Sequence, residues 1–366
     1  MRSIDNNGIL GWKTASYLSR FQLRRNSWGR FVLVALSLGL MVAACGGGSS
    51  SSTSTVASSS PASTASPAVS VRIQVYPGAV WSVPVYAAQQ EGFFVKNGID
   101  ASFVPANTGP AAIAALASGS VDAISVSPEV ILGAIAHGLS AQVWGSTMRV
   151  PWEILVAKNV AVTSSAFPQD MHALKGLTVG VPSIPSAGQA MLDASLLDAG
   201  MHVADVHVVS VGIGAPALAA LETGQIQGLV IQQPVSDEAV AQAGAKVLMD
   251  PLKGQLPSAL AGPYLGQWSL RSYISAHPGT IKQMRAALLE AKNWLSNPAN
   301  NSAVAKFLST FYNVPGLNYS QMAREDESLW VTNYSLGALQ TYDAYDVKYG
   351  FLSAPIPTAG LLWQGS

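Results

Sequence analysis

The sequence predicts an α/β protein of two similar lobes, and two internal echoes carry that prediction. The stretch Ala115-Leu-Ala-Ser-Gly-Ser-Val-Asp-Ala-Ile-Ser-Val126 recurs 105 positions later as Ala220-Leu-Glu-Thr-Gly-Gln-Ile-Gln-Gly-Leu-Val-Ile231. Upstream, Val71-Arg-Ile-Gln-Val75 and the turn Asn97-Gly98-Ile99 are matched by Leu177-Thr-Val-Gly-Val181 and Ala199-Gly200-Met201. So long a period does not suit a solenoid, and the order strand, helix, glycine turn, written twice, suits two lobes with parallel strands. Loops at the carboxyl ends of such strands face a crevice into which helix N-termini point unpaired N–H groups. Two facing lobes would therefore close on one small solute.

Residues 1–44 read as an export signal. Arg20, Arg24, Arg25 and Arg30 precede the apolar run Phe31 to Val42, which ends in Ala43-Ala44-Cys45. About a dozen apolar residues fall short of the roughly 20 that a helix needs to span a bilayer. Val42-Ala43-Ala44-Cys45 resembles a bacterial lipobox, which implies lipid on Cys45 and a place on the extracytoplasmic face of the cell membrane. Cys45 is the only cysteine, so cysteine nucleophiles and cysteine-based metal sites are excluded. Residues 45–70, mostly Ser, Gly, Thr, Ala and Pro, form a flexible tether with a typical reach of roughly 25–30 Å.

From Cys45 onward the chain carries a net charge of −5 without Lys/Arg clusters, which excludes nucleic acid as a partner. Charged residues make up 11% of the whole chain, against about 25% in ordinary soluble domains.

The elements follow in order. After the strand from Val71, a helix around Val85 to Asn97 stops at Gly98, and Ala101 to Pro105 forms a second strand. Asn107-Thr108-Gly109-Pro110 opens a helix that Gly119 ends, Pro110 being favourable in a first turn. A strand over Val121 to Val126 runs through Ser127-Pro128-Glu129 into a helix reaching His137, and Ile154 to Ala157 is a strand leaving this lobe. The plan repeats from Leu174 to Ile231, and Tyr264 to Ile274 is a return strand. Pro278 to Ser296 is an amphipathic helix with Ile281, Met284, Ala287, Leu288, Ala291 and Leu295 on one face. Helices over 303–312, 319–335 and 336–349 pack back on the first lobe. The lobes are thus 71–158 with 268–366, and 159–267.

Val71 to Gly98, Ala115 to Ile124, Leu174-Lys-Gly-Leu-Thr-Val-Gly-Val-Pro182, Ala220 to Pro234 and His277-Pro278 together resemble the substrate-binding lipoproteins of ABC importers. The closer likeness is to the branch that binds sulfonates, taurine, nitrate and the pyrimidine precursor of thiamine. The resemblance implies a two-lobed type II periplasmic-binding-protein fold with an interlobe cleft and a hinge near 155–160 and 262–270. It also implies a monomer that hands a small-molecule ligand to an ABC permease driven by its ATPase. Gln232-Gln233-Pro234 departs from relatives that carry an aromatic or acidic residue before this proline, so the likeness does not name the ligand.

Ser127 and Gln232 align in the repeat and would face each other across the cleft. Ser183 and Ser186, with the N–H groups of Ala187 and Gly188, would receive a sulfonate, carboxylate or nitrate oxygen at a helix start; a plain serine cap is the competing reading. Asn107, Thr108 and Gly109 stand in the same position in the first lobe. Tyr76 and Trp81, after the first strand, would stack on an organic solute. Trp144 and Trp152 read as packing residues, Arg149 as a solvated loop charge, and Gln233 as a ligand contact or a brace for its loop.

No histidine lies in a catalytic motif, His202 and His207 are poorly spaced for a metal pair, and no phosphate loop is present. The sequence thus predicts a non-enzymatic solute-binding lipoprotein without cofactor or metal. The alternatives are a binder of pyrimidines or other aromatic heterocycles, an enzyme of the thiamine-pyrimidine synthase type, and an exported sensor or adhesion module.

Overall fold

The computed structural model describes residues 68–164, 166–257 and 260–365. The expectations for the signal segment, Cys45 and the tether up to residue 67 lie outside the described residues.

The first strand, β1 (Val69–Val75), is rich in β-branched residues and pairs in parallel with β2 (Ile99–Pro105), from Val69 opposite Ile99 to Val75 opposite Pro105. Where the sequence predicts one helix over 85–97, the chain makes a turn of 3-10 helix (Val80–Ser82), then α1 (Val83–Gln90) and α2 (Phe93–Lys96). Gly92, at φ +73°, separates the two helices in a left-handed conformation that only glycine adopts cheaply. Helix α3 (Gly109–Ala117) starts as predicted, with Thr108 Oγ1 accepting from the Ala111 amide at 3.2 Å. Strand β3 (Ile124–Val126) is shorter than its predicted span and leads directly into α4 (Pro128–Ala136).

An amide bond from Gln74 to the Ala123 carbonyl (2.9 Å) and a parallel bridge between Ile73 and Ala123 attach β3 to β1. Antiparallel β10 (Leu265–Leu270) follows β3, and β4 (Ala141–Met148) forms the edge. The first set of strands thus runs β2-β1-β3-β10-β4.

The second sheet comprises β5 (Glu153–Val156), β6 (Thr178–Val181), β7 (His207–Ser210), β8 (Gly228–Ile231) and β9 (Lys246–Met249). Its order, β7-β6-β8-β5-β9, matches the first set position by position. The repeat read from the sequence is therefore a repeat of topology, and the fourth place in each sheet goes to an antiparallel strand.

Those fourth strands move the boundaries drawn from sequence. The predicted first segment, 71–158, includes β5, yet β5 pairs with β8 and β9. The predicted second lobe ends at 267, inside β10, which pairs with β3 and β4. The chain passes between sheets at 149–152, ahead of the expected 155–160, and again between β9 and β10, a passage that runs into the start of the expected 262–270. Both strands are largely buried, as befits a central place in either sheet.

The second lobe also holds α5 (Ala187–Asp198), α6 (Ala215–Glu222) and α7 (Val235–Ala243). After β10 come α8 (Arg271–Ala276) and α9 (Pro278–Leu295), which buries the predicted face from Ile281 to Leu295 against α1 and α2. Each large apolar side chain so covered contributes roughly 1.5–3 kcal/mol relative to exposure. Then follow α10 (Asn301–Tyr312), α11 (Tyr319–Glu325) and α12 (Leu336–Lys348). Helix α11 ends ten residues before the predicted 335, because the chain turns at Asp326–Ser328 and runs extended so that Trp330 bridges Met148. Helix α12 packs on α4, and its Tyr345 hydroxyl donates to the Ala190 carbonyl of α5. This last helix therefore touches both lobes.

Candidate functional site

The carboxyl ends of β1, β2 and β3 and those of β6 and β7 open on one cavity. Tyr76 and Trp81 follow β1, Asn107, Thr108 and Gly109 follow β2, and Ser127 follows β3; all line the cavity. From the second lobe come Ser183, Ser186 and Ala187, with Gly212 and Ile213 after β7.

Three aromatic rings build one wall. The Tyr76 amide donates to Ser82 Oγ at 2.7 Å, which folds the chain so that Trp81 returns against Tyr76. Their ring centroids lie 4.8 Å apart with planes at 84°, and Trp81 meets Trp152 at 5.1 Å and 62°. Edge-to-face contacts of this kind are favourable beyond the area they bury. Burial raises the Tyr76 phenol above its usual range, so it remains a neutral hydrogen-bonding group.

The serine and threonine hydroxyls divide into two groups. Thr108 and Ser186 cap α3 and α5, with Ser186 Oγ accepting from the Gln189 amide at 3.1 Å, so ordinary capping holds at both positions. Ser183 Oγ donates to the Pro185 carbonyl at 3.1 Å. Ser127, 4% exposed, opens α4 without capping it. Gly188 lies just behind the lining. A Cβ there would fall 2.8 Å from Pro182 Cδ and 3.4 Å from the Trp152 ring, so glycine lets α5 start close against the wall.

Gln232 and Gln233 do not join this set. Both are buried, at 2% and 6% exposure, outside the cavity lining. The β5–β8 register, Glu153 opposite Ile231, continues to set Trp152 beside Gln232, and the indole rather than the amide reaches the cavity. Trp152 Nε1 and Gln232 Oε1 are both buried without a partner. With its amide turned to donate, Gln233 meets the two Asp326 oxygens at 3.0 and 3.2 Å, the bracing role that was its second reading.

Tyr264, which the sequence does not single out, lines the cavity, and Trp152, read as a packing residue, is buried in the core and also contributes to the cavity wall. Each directly precedes an inter-sheet strand. Trp144 packs as expected, its Nε1 donating to Ser269 Oγ at 3.0 Å. Arg149 donates to the Ala261 carbonyl at 3.0 Å and is exposed.

Lys, Arg, His, Asp and Glu are missing from the cavity lining among the described residues. What the cavity offers is aromatic surface, hydroxyls, and the N–H groups at the starts of α3, α4 and α5. It can hold a flat or apolar body and hydrogen-bond a compact oxygen-bearing group. Among the described residues no cluster of His, Cys, Asp and Glu is arranged to hold a metal ion.

Two sheets of one topology, joined by two passages and separated by a cavity at their strand ends, define the type II periplasmic-binding-protein fold. Solved structures share it. The alkanesulfonate-binding protein SsuA from Xanthomonas axonopodis pv. citri, bound to MOPS, aligns with a TM-score of 0.67 at 20% identity, covering 82% of this chain and 99% of that one. The periplasmic aliphatic sulphonate binding protein SsuA from Escherichia coli aligns at 0.66 and 20% identity, over 81% and 92%. The periplasmic nitrate-binding protein NrtA from Synechocystis PCC 6803 aligns at 0.63 and 14% identity, over 80% and 84%. The chain belongs to the NMT1-like family, whose model matches residues 65–309. Among curated proteins no sequence matches.

Proposed function

We propose that this protein is the solute-binding lipoprotein of an ABC importer, a monomer held at the extracytoplasmic face of the cell membrane by lipid on Cys45. It captures a small organic solute and delivers it unchanged to a permease, whose ATPase supplies the energy. The observation that carries this reading is a cavity drawn from both sheets and lined, among the described residues, by neutral groups. A solute touching both walls would favour the closed arrangement of the lobes, with the passages at 149–152 and between β9 and β10 as hinge.

The solute has an apolar or flat body with one compact oxygen-bearing head, such as an alkane- or arylsulfonate. The aromatic trio suits the body, and the helix starts with Ser127 and Ser183 suit the head. A pyrimidine-like heterocycle is the second reading, favoured by the aromatic wall of Tyr76, Trp81 and Trp152.

Calorimetry and thermal shift with sulfonates, taurine, nitrate, pyrimidines and aromatic acids test this. A sulfonate binding one per chain, recovered intact, and weakened by Ser127→Ala and Trp81→Ala is the expected result. Turnover of a bound solute, or affinity unchanged in both variants, would overturn it.

A further inference from the structure

A second cavity adjoins the first, bounded by α4, α5 and the turn Tyr349 to Phe351 that follows α12, with about 1190 Å³ of space continuous with solvent. Pro110, Val130, Pro185 and Ser186 line both cavities and form the partition between them. The chemistry changes across that partition. The first cavity has neutral walls, whereas the second is lined by Glu129 of α4 and Asp193 of α5. No Lys, Arg or His lines it among the described residues.

The unsatisfied atoms there are all acceptors. Asp193 is 6% exposed, and its Oδ1 has no hydrogen-bond partner; Gln189 Oε1, in the same lining, has none either. Asp346, on α12 beside this wall, is fully buried with neither carboxylate oxygen partnered. Buried acceptors without donors are costly, and their cost is relieved by a ligand rich in N–H. Burial, the main cause, raises Glu129 and Asp346 and takes Asp193 up to about 6, as expected of carboxylates lacking a counter-ion. Lys348 Nζ lies 4.9 Å from the centre of the Tyr349 ring, and the residue is exposed.

Tyr349 and Phe351 add aromatic surface to the lining. Carboxylates and amide oxygens beside aromatic rings are the combination that recognises an organic ammonium ion. Because the acceptors stand beside aromatic rings, the cation indicated is an organic amine.

We propose that the cavity between α4, α5 and residues 349–351 is a second binding site that takes an organic ammonium group, held by Asp193, Gln189 and Glu129. Its contacts come from both lobes, so the cation would also favour their approach, whichever solute fills the first cavity.

The test is thermal shift and calorimetry on the purified protein at pH 8, where Asp193 is ionised, at constant ionic strength. The probes are 1,4-diaminobutane and phenethylammonium, with 1,4-butanediol as the uncharged control. The ammonium probes should raise Tm saturably in the wild type and in Trp81→Ala, which alters only the first cavity. Asp193→Asn should weaken them at least tenfold, and the diol should have no effect. If Asp193→Asn does not fold, Gln189→Ala replaces it and should weaken the probes at least threefold. The absence of a saturable shift in the wild type, or an equal shift in the variant used, would overturn the proposal. Failure of the sulfonate screen with this response intact would count against the first cavity's reading alone.

Discussion

The Tyr264 hydroxyl donates to the Glu129 carboxylate, 3.1 Å from each of its oxygens, and so joins the return from the second lobe to the start of α4. Tyr264 faces the first cavity while Glu129 lines the second. Burial raises the Glu129 pKa, and the tyrosine bond opposes that rise by stabilising the ionised form. Tyr264→Phe should therefore cost about 1–3 kcal/mol at pH 8, with a smaller loss at pH 5, where Glu129 is protonated with or without the hydroxyl. Urea unfolding at the two pH values measures this, and equal losses would show that the bond does not report on the charge.

Glu153 on β5 sets a pH dependence. Its pKa is raised to about 8 by burial first, with Asp237, Asp250 and Asp326 adding to the rise against a 2.6 Å hydrogen bond from Ser236. A carboxyl raised on folding keeps its proton in the native state after the unfolded chain has released it. Stability from this group is therefore full below about 4.5 and falls as pH rises to about 8, by roughly 1.4 kcal/mol per unit of pKa difference. Glu153→Gln should flatten that slope and leave the protein more stable than wild type at pH 8, as read by denaturant midpoints across pH 4–9.

Gly188→Ala tests the close start of α5. The added methyl would meet Pro182 and the Trp152 ring, displacing the cavity wall at a cost of about 1–3 kcal/mol. Loss of solute affinity together with a lower denaturation midpoint is expected. Wild-type affinity in a stable variant would mean that the wall tolerates the shift.

Tyr345→Phe removes the hydroxyl bond from α12 to the Ala190 carbonyl across the lobes. A loss of about 0.5–1.5 kcal/mol, and a larger radius of gyration for the ligand-free protein by small-angle scattering, are expected. An unchanged radius would mean that this contact does not hold the lobes together.

Much of this architecture could be read from local patterns. The strand-helix-glycine order was readable because Gly98, Gly119, Gly200 and Gly224 take positive φ where a helix must end, a demand local to each turn. Thr108 and Ser186 announced their helices because capping is settled within three residues. Tyr76 and Trp81 line the cavity because both follow closely on β1.

Other features depended on contacts remote in sequence. Helix periodicity said nothing of the break at Gly92, and the local pattern of either strand said nothing of which sheet would take β5 or β10. Gln232 lost its predicted place because Trp152, some eighty residues earlier, stands beside it once β5 pairs with β8.

By itself, the sequence determined the duplicated α/β plan, the start of most helices, and the neutral, aromatic character of the first lobe's loops, since each follows from backbone preferences over a few residues. Only the tertiary structure decided how β5 and β10 exchange between sheets, which tryptophan completes the cavity, and how Glu129 and Asp193 come to line one space. Those outcomes depend on burial and on pairing between distant segments, which no local pattern encodes.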